Sequence, residues 1–284
     1  MKKALVTIIL PVVVLSLTRL AAGQAGPKIL DAELIHAANL GDTAAVRQLL
    51  EKGANVEARD EYGATPLLLA AHYCTAEAVK LLLDKGAKIE ANDNYGSTAL
   101  LLAAEFGNTE VAKLLLDRGA NIECKNQYNS TPLLRAAFCG QTEVAKLLLE
   151  RGANIEAQDK NHATAVLLAV EQLNTELLKL LLDRGAKADP NRDGAPLLRA
   201  ADQDLAEILK LLLDKGANAE VRDSFGCTPL MLEARWGNVD AVRWLLEKGA
   251  NIAARSNDGR TALDMADEQH HAEIVKLLRE KGSK

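Results

Sequence analysis

Aromatic side chains are scarce in this sequence. Only nine of its 284 residues are Phe, Trp or Tyr. A core built mainly from large rings is therefore excluded, and the composition favours thin helical layers packed through Leu, Val and Ala. The positions of the nine rings carry more information than their number.

Cysteines are too few and too scattered to form a disulfide framework or a metal site. The sequence has no C-x-x-C motif and no cysteine pair at metal-ligand spacing. We interpret the four as small apolar core residues, with a redox or intermolecular role as the alternative. They are Cys74, Cys124, Cys139 and Cys227.

Catalytic motifs are also missing. There is no Gly-rich phosphate loop, H-E-x-x-H, G-x-S-x-G or paired-carboxylate motif. The five histidines are dispersed, and the adjacent pair His270 and His271 cannot share one helical face. We therefore predict no catalytic residue, no cofactor and no metal, so that the chain is not an enzyme.

An excess of positive charge is absent as well. The formal net charge is −5, and removal of residues 1–23 with Lys2, Lys3 and Arg19 would lower it to −8. Proteins that bind nucleic acid by its phosphates carry basic patches. The charge therefore predicts that nucleic acid is not a partner.

One apolar run stands out, and it lies at the N-terminus. Two lysines follow Met1, residues 4–17 are apolar apart from Thr7 and Ser16, and small residues end at Gly23. This pattern predicts a signal peptide over 1–23, a short tail over 24–28, and export to the periplasm or secretion. The run is shorter than the about 20 residues that a membrane span needs, so we expect no span after cleavage. The alternative is anchoring by an uncleaved N-terminal segment.

The rest of the chain is an internal repeat. A Gly-Ala pair recurs every 33 residues, except for one interval of 31. A fixed period in this range indicates stacked units, each too small to bury its apolar side alone. The glycines are Gly53, Gly86, Gly119, Gly152, Gly185, Gly216 and Gly249, with a Lys-Gly echo at Gly282.

Each repeat predicts two helices. The first begins where a Thr hydroxyl can cap it and Pro can follow, as at Thr65-Pro66, Thr131-Pro132 and Thr228-Pro229. The second begins near Asn108 in the repeat that starts at Asn92, and its apolar positions Val111, Leu114 and Leu115 predict a buried face. Gly119 then supplies the left-handed residue that ends it.

These motifs identify a family. TPLLLAA at 65–71, TPLLRAA at 131–137, TPLMLEA at 228–234 and LLLDRGANIE at 114–123 resemble the ankyrin repeat pattern. The resemblance covers residues 29–284 and implies an all-α repeat solenoid of helix-turn-helix units with projecting β-turn fingers. It also implies a non-enzymatic scaffold that binds a partner protein through its concave face.

We divide the repeat domain, 29–284, into about eight repeats. The first and last are caps, because terminal repeats need a polar outer face. The shortened interval places a smaller finger in the repeat at 191–221, where Ala195 replaces the capping Thr, so we predict the weakest junction there. The repeats are 29–58, 59–91, 92–124, 125–157, 158–190, 191–221, 222–254 and 255–284.

The sequence departs from the family at one position. A His usually follows T-P-L and bridges neighbouring turns, whereas here the position is mostly apolar. We expect burial to compensate, at about 1.5–3 kcal/mol for a fully buried Leu, although neighbouring turns are less firmly tied. The position holds Leu68, Leu101, Leu134, Leu167, Leu198, Met231 and Asp264.

Eight of the nine aromatics fall at finger or first-helix-end positions, and only Trp244 belongs to a second helix. Equivalent positions in other repeats hold acids and amides, such as Glu171 and Asp202, which indicates a solvent-facing surface. The alternative for the finger rings is packing against the next finger. We predict a protein-binding site at Tyr62, Tyr73, Tyr95, Phe106, Tyr128, Arg135, Phe138, Phe225, Arg235 and Trp236. We expect a monomer, and a structural or self-associating spacer is the alternative function.

Overall fold

The computed structural model describes residues 27–73, 75–189, 194–203 and 205–282. The predicted signal peptide, Cys74 and the middle of the shortened finger at 190–193 lie outside these ranges. Within them the regular structure is helical, apart from one isolated β-bridge between Asn92 and Thr98. This is the all-α repeat fold that the sequence predicts.

Sixteen helices form in the described residues, and from α3 onward each odd-numbered helix is the first of its repeat. The first helix includes the last two residues of the predicted tail. The bounds are α1 Pro27–Leu40, α2 Thr43–Glu51, α3 Pro66–His72, α4 Ala76–Asp84, α5 Ala99–Phe106, α6 Thr109–Asp117, α7 Pro132–Phe138, α8 Thr142–Glu150, α9 Ala165–Glu171, α10 Thr175–Asp183, α11 Ala195–Asp202, α12 Ala206–Asp214, α13 Pro229–Trp236, α14 Val239–Glu247, α15 Ala262–Glu268 and α16 Ala272–Gly282.

Threonine caps start most of the first helices. The hydroxyl of Thr65 accepts from the N–H of Leu68 at 3.5 Å. Equivalent caps form at Thr98, Thr131, Thr164 and Thr261. Thr228 also holds the predicted N-cap position of α13, but its hydroxyl has no hydrogen-bond partner among the described residues. The Met231 N–H donates instead to the Thr228 carbonyl oxygen at 3.0 Å, and the Met231 sulfur accepts from the Thr228 N–H at 3.5 Å.

The buried face of α6 differs from the predicted one at Leu114. Its fully buried side chains are Val111, Ala112 and Leu115, whereas Leu114 is only half-buried. The equivalent Leu81 of α4 is buried, with 6% of its surface exposed, so the neighbours of each repeat decide how far the buried face extends. Gly119 has the expected left-handed conformation, with φ of 85°.

The fold consists of two compact halves, Met1–Ala153 and Asn154–Lys284. In the N-terminal half α1, α3, α5 and α7 pack side by side, as do α2, α4, α6 and α8. The paired alanines of the first helices, such as Ala70 and Ala71, are fully buried and let neighbouring helices approach closely. The C-terminal half repeats this arrangement with α9 to α16.

The apolar residues that replace the family's His are mostly buried. At most 1% of the surface is exposed at Leu68, Leu101, Leu134 and Met231. Two further positions, Leu167 and Leu198, are half-buried, and Asp264 is exposed.

Polar hydrogen bonds between repeats are made by other residues. Asn108, directly before α6, donates from Nδ2 to the carbonyl oxygens of Ala71 (2.6 Å) and His72 (3.1 Å) in the preceding repeat. The equivalent bonds join Gln141 Nε2 to Glu105 O (3.3 Å) and His271 Nε2 to Arg235 O (3.1 Å).

A second set of hydrogen bonds links repeats through a glutamate at four of the junctions. Glu57 accepts from the backbone N–H of Lys88 at 2.8 Å, 31 residues further on. The same bond joins Glu90 to Asn121, Glu156 to Lys187 and Glu220 to Asn251. Ion pairs also connect the ends of neighbouring second helices, as between Asp84 and Arg118 at 2.9 Å. The identical separation shows that these repeats share one register.

The shortened finger changes how α11 starts. Gly194, at φ 69°, takes the N-cap position and provides no side-chain cap. Its N–H donates to Asp189 at 3.0 Å. Leu205 occupies the position from which Asn108 donates to the preceding repeat, and its apolar side chain cannot donate a hydrogen bond.

None of the helices in the described ranges has the length and apolar character that crossing a bilayer requires.

Candidate protein-binding surface

Each finger is a turn closed by one polar side chain. Asp60 accepts from the N–H groups of Tyr62 (2.9 Å) and Ala64 (2.8 Å), and Gly63 turns the chain at φ 76°. This is the local bonding that Asp and Asn favour in turns. It leaves Tyr62 at the tip of the finger, with 57% of its surface exposed. The same closure forms at Asp93, Asn126, Asp159 and Asp223.

Neighbouring fingers are bonded at the aromatic residue itself. The carbonyl oxygen of Tyr62 accepts from Asn94 N–H, and that of Tyr95 accepts from Gln127 N–H, each at 3.0 Å. In the C-terminal half, Phe225 O accepts from Asn257 N–H at 2.9 Å. The finger rings of the N-terminal half therefore lie in one row.

The eight aromatics assigned to the fingers and first-helix ends are exposed. The exposed fraction of each residue's surface ranges from 44% for Phe106 to 72% for Phe225. Their repeat equivalents Glu171, Gln172, Asp202 and Gln203 are exposed too. Within each half, exposed rings at equivalent repeat positions are the kind of apolar surface that marks an interaction site. The other six are Tyr62, Tyr73, Tyr95, Tyr128, Phe138 and Trp236.

The helix ends of the N-terminal half form a stack of rings that the sequence did not predict. His72 lies between Tyr73, with centroids 4.4 Å apart, and Phe106, at 3.9 Å, and both pairs are nearly parallel. Burial lowers the pKa of His72, and the nearby Glu105 carboxylate partly opposes this effect. The lowered pKa favours the neutral imidazole, which stacks on both rings through its face.

The two predicted arginines are held in place by neighbouring side chains. Arg135 forms an ion pair of 2.7 Å with Glu105, and its guanidinium lies 5.2 Å from the centre of the Phe138 ring. Only 20% of its side chain is exposed. Arg235 is placed alike, 3.5 Å from Asp202 and 5.2 Å from the Trp236 ring. Both arginines lie on rings and are neutralised by an acid of the preceding repeat.

A hollow of about 270 Å³ lies between the fingers and the helix ends of the N-terminal half. Tyr95, Phe106 and Tyr128 are its aromatic walls, and the half-buried Leu102 contributes an apolar side chain. Polar groups complete its lining at His72, Asp93, Ser97, Glu105, Asn126 and Arg135.

The structure thus brings four predicted site residues together: Tyr95, Phe106, Tyr128 and Arg135 line the hollow. Tyr62, Tyr73 and Phe138 lie in the same half, while Phe225, Arg235 and Trp236 belong to the C-terminal half. Sequence reasoning missed His72, Asp93, Leu102 and Glu105. Two of these residues could have been found from their repeat positions, because Glu105 is equivalent to the predicted site residue Phe138 and Leu102 to Arg135.

A larger depression of about 430 Å³ on the last repeat is lined largely by charged groups such as Lys276, Arg279 and Glu280.

The described cysteines and acids suggest no chemistry at this surface. Cys124, Cys139 and Cys227 are free thiols. Burial raises the pKa of Cys124 to about 11, and its sulfur lies 3.2 Å from the Thr98 hydroxyl. No group of His, Cys, Asp or Glu in the described ranges is arranged to hold a metal ion.

The bonded fingers and paired helices define a repeat protein of the helix-turn-helix type. A family model described as "Ankyrin repeats (3 copies)" matches residues 34–126, 89–159, 133–223 and 197–284. The chain belongs to the ankyrin repeat family, whose members are typically non-enzymatic scaffolds for protein–protein interaction. A comparison with curated proteins finds no match.

Proposed function

We propose that this chain is an exported, non-enzymatic scaffold that binds a partner protein through the concave face of its ankyrin repeats. The proposed contact residues are the ten predicted ones: seven lie in the N-terminal half, around the hollow, and Phe225, Arg235 and Trp236 lie in the C-terminal half. One observation carries the proposal: eight of the nine aromatic side chains are exposed at finger and helix-end positions. Family membership supports protein as the partner class.

Energetics favour these rings as the main contacts. Trp, Tyr and Arg dominate interface hot spots, at about 2 kcal/mol or more each, because they bury a large area with few rotatable bonds. Arg135 and Arg235 are held against rings by ion pairs, so little side-chain freedom remains to be lost on binding. The surface is therefore pre-organised around its aromatic groups.

The test replaces Tyr95, Phe106 and Phe138 together with Ala and measures capture of the partner from the exported fraction. We expect capture to weaken by several kcal/mol, which is at least a hundredfold, with helix content unchanged. The control replaces Lys80, Lys113 and Lys146 with Ala, three exposed residues on the second helices of repeats 59–91, 92–124 and 125–157, and should bind as the parent chain does.

Two results would overturn this function. If the aromatic variant melts markedly earlier and binds as before, the rings are stacking residues. If light scattering shows that the parent chain self-associates and the aromatic variant does not, the face is a contact between copies, as a spacer would need.

The proposal of export rests on the residue pattern of 1–23. N-terminal sequencing of the extracted protein tests it, because an intact Met1 on cytosolic protein would contradict export.

A further inference from the structure

The finger tyrosines of the N-terminal half form a row with a constant interval. Tyr62, Tyr95 and Tyr128 occupy the same position of three successive fingers, and the two intervals are closed by the same backbone hydrogen bond at 3.0 Å. About half or more of the surface of each residue is exposed. A partner that touches all three must therefore present similar groups at that same interval.

Helix packing sets the length of this interval. The first helices α3, α5 and α7, which follow these fingers, pack directly against one another. Packed helices lie about 8–10 Å apart. Because equivalent residues of successive repeats are related by the same displacement, the tyrosines also recur about every 8–10 Å.

Three regular conformations can be compared with this interval. A β-strand presents the same face about every 6.8 Å, and an α-helix returns to one face about every 5.4 Å. A polyproline II helix has three residues per turn and a rise of about 3.1 Å, so every third side chain recurs after about 9.3 Å. Of the three, the polyproline II period falls inside the interval of the tyrosine row.

Charge points to the same kind of segment. The arginine and the acid beside the hollow, Arg135 and Glu105, neutralise each other at 2.7 Å, and His72 is stacked between rings. The remaining acid of the lining, Asp93, is bonded through Oδ1 to the N–H groups of Tyr95 and Ser97, so a partner needs no charge of its own to match the paired groups. Proline side chains carry no charge, and the backbone carbonyls of a polyproline II helix have no internal donors. Exposed tyrosine hydroxyls can donate to them, as in aromatic grooves that recognise proline-rich segments.

We propose that the partner segment bound by the N-terminal half is a proline-rich stretch in the polyproline II conformation, with one proline of each turn against each finger tyrosine. The hollow between Tyr95, Phe106 and Tyr128 takes the central proline, which contacts Leu102. This inference rests on the proposed function and names the chemistry of its partner.

Fluorescence polarisation of a labelled decaproline peptide with the full chain tests the inference. We expect saturable binding at least tenfold tighter than that of a Gly-Ser decapeptide or an amphipathic helical peptide of equal length. Replacing both Tyr95 and Tyr128 with Ala should weaken decaproline binding at least tenfold, and Lys113→Ala should not change it. The double Phe replacement keeps the rings and should weaken binding only two- to fivefold, through the lost hydroxyls.

Equal binding of decaproline and Gly-Ser would overturn the inference, as would tighter binding of the helical peptide or decaproline binding unaffected by the double Ala variant. If the double Ala variant is unfolded, the double Phe variant decides, and unchanged binding by it counts against the role of the hydroxyls. Failure here is distinct from failure of the proposed function. Loss of partner capture in the Tyr95, Phe106 and Phe138 variant, without decaproline binding, would leave the scaffold function standing.

Discussion

Replacement of Asn108 with Asp separates two physical roles that an N-terminal helix residue can have. Local rules predict little effect, because Asp is as good an N-cap as Asn and its charge suits the positive end of a helix dipole. The structure predicts a large loss. Asn108 makes no side-chain cap to α6, and instead its amide donates to the carbonyls of Ala71 and His72.

The magnitude follows from these two bonds. Each contributes about 0.5–1.5 kcal/mol net, so Asn108→Ala should lower the free energy of unfolding by about 1–3 kcal/mol. The Asp side chain has nearly the same shape, but it brings an oxygen against two carbonyl oxygens and places a charge at a residue only 7% exposed. We expect a loss of about 3–5 kcal/mol, the range measured when a buried charge is left without its partner.

Urea unfolding followed by far-UV circular dichroism measures these losses. Asn108→Gln is the matched control, because Gln141 makes the equivalent bond in the next repeat, and it should lose less than the Ala variant. The Asp variant should also regain stability as the pH is lowered and its carboxyl group becomes protonated. If Asn108→Asp is as stable as the parent chain, capping outweighs the bridge and the reasoning is refuted.

Three further predictions concern other residues. Leu173 has a left-handed φ of 54° where four other repeats have glycine, so Leu173→Gly should be about 1–2 kcal/mol more stable than Leu173→Ala in urea, and a more stable Ala variant would contradict this. Hydrogen bonds from the Thr261 N–H and hydroxyl lower the pKa of Asp264. It therefore adds stability above its unfolded pKa of about 3.9 that is lost as the pH falls through the lower folded value. Acid titration should show a smaller loss for Asp264→Asn, and an unchanged titration would count against the assignment. Because burial raises the pKa of Cys124 to about 11, mass spectrometry should find it labelled by maleimide at neutral pH only after urea is added, and rapid labelling of the folded chain would show that it is accessible.

The fold could be predicted because its signals are local and repeated. The threonine caps, the left-handed glycines and the closing Asp of each finger depend on residues within a few positions of one another. Thr228 shows where this stops, since the Met231 side chain three residues later takes its backbone N–H. Leu114 shows the same limit for burial, because neighbouring repeats determine which edge of the helix is covered.

Contacts between repeats were harder to predict. The partners in the Arg135–Glu105 ion pair are 30 residues apart, and those in the Asn108 bridge 36 and 37. Neither pairing has a local sequence signal. Periodicity could place Tyr95, Phe106 and Tyr128 on one face, but the hollow between them depends on how closely successive helices approach, which the alanines of those helices set by packing.

The glutamate that accepts a backbone N–H one repeat further on allows the repeats that carry it to replace one another in the stack. Its partner is an amide that nearly every residue type possesses, so the joint demands nothing of the side chain on the receiving repeat. A duplicated copy of 59–91 placed after Ala91 would therefore find the Glu90 carboxylate before it and the Asn121 N–H after it, both at the same separation of 31 residues. Duplication of whole repeats would therefore lengthen the row of finger tyrosines without requiring a new type of contact between repeats.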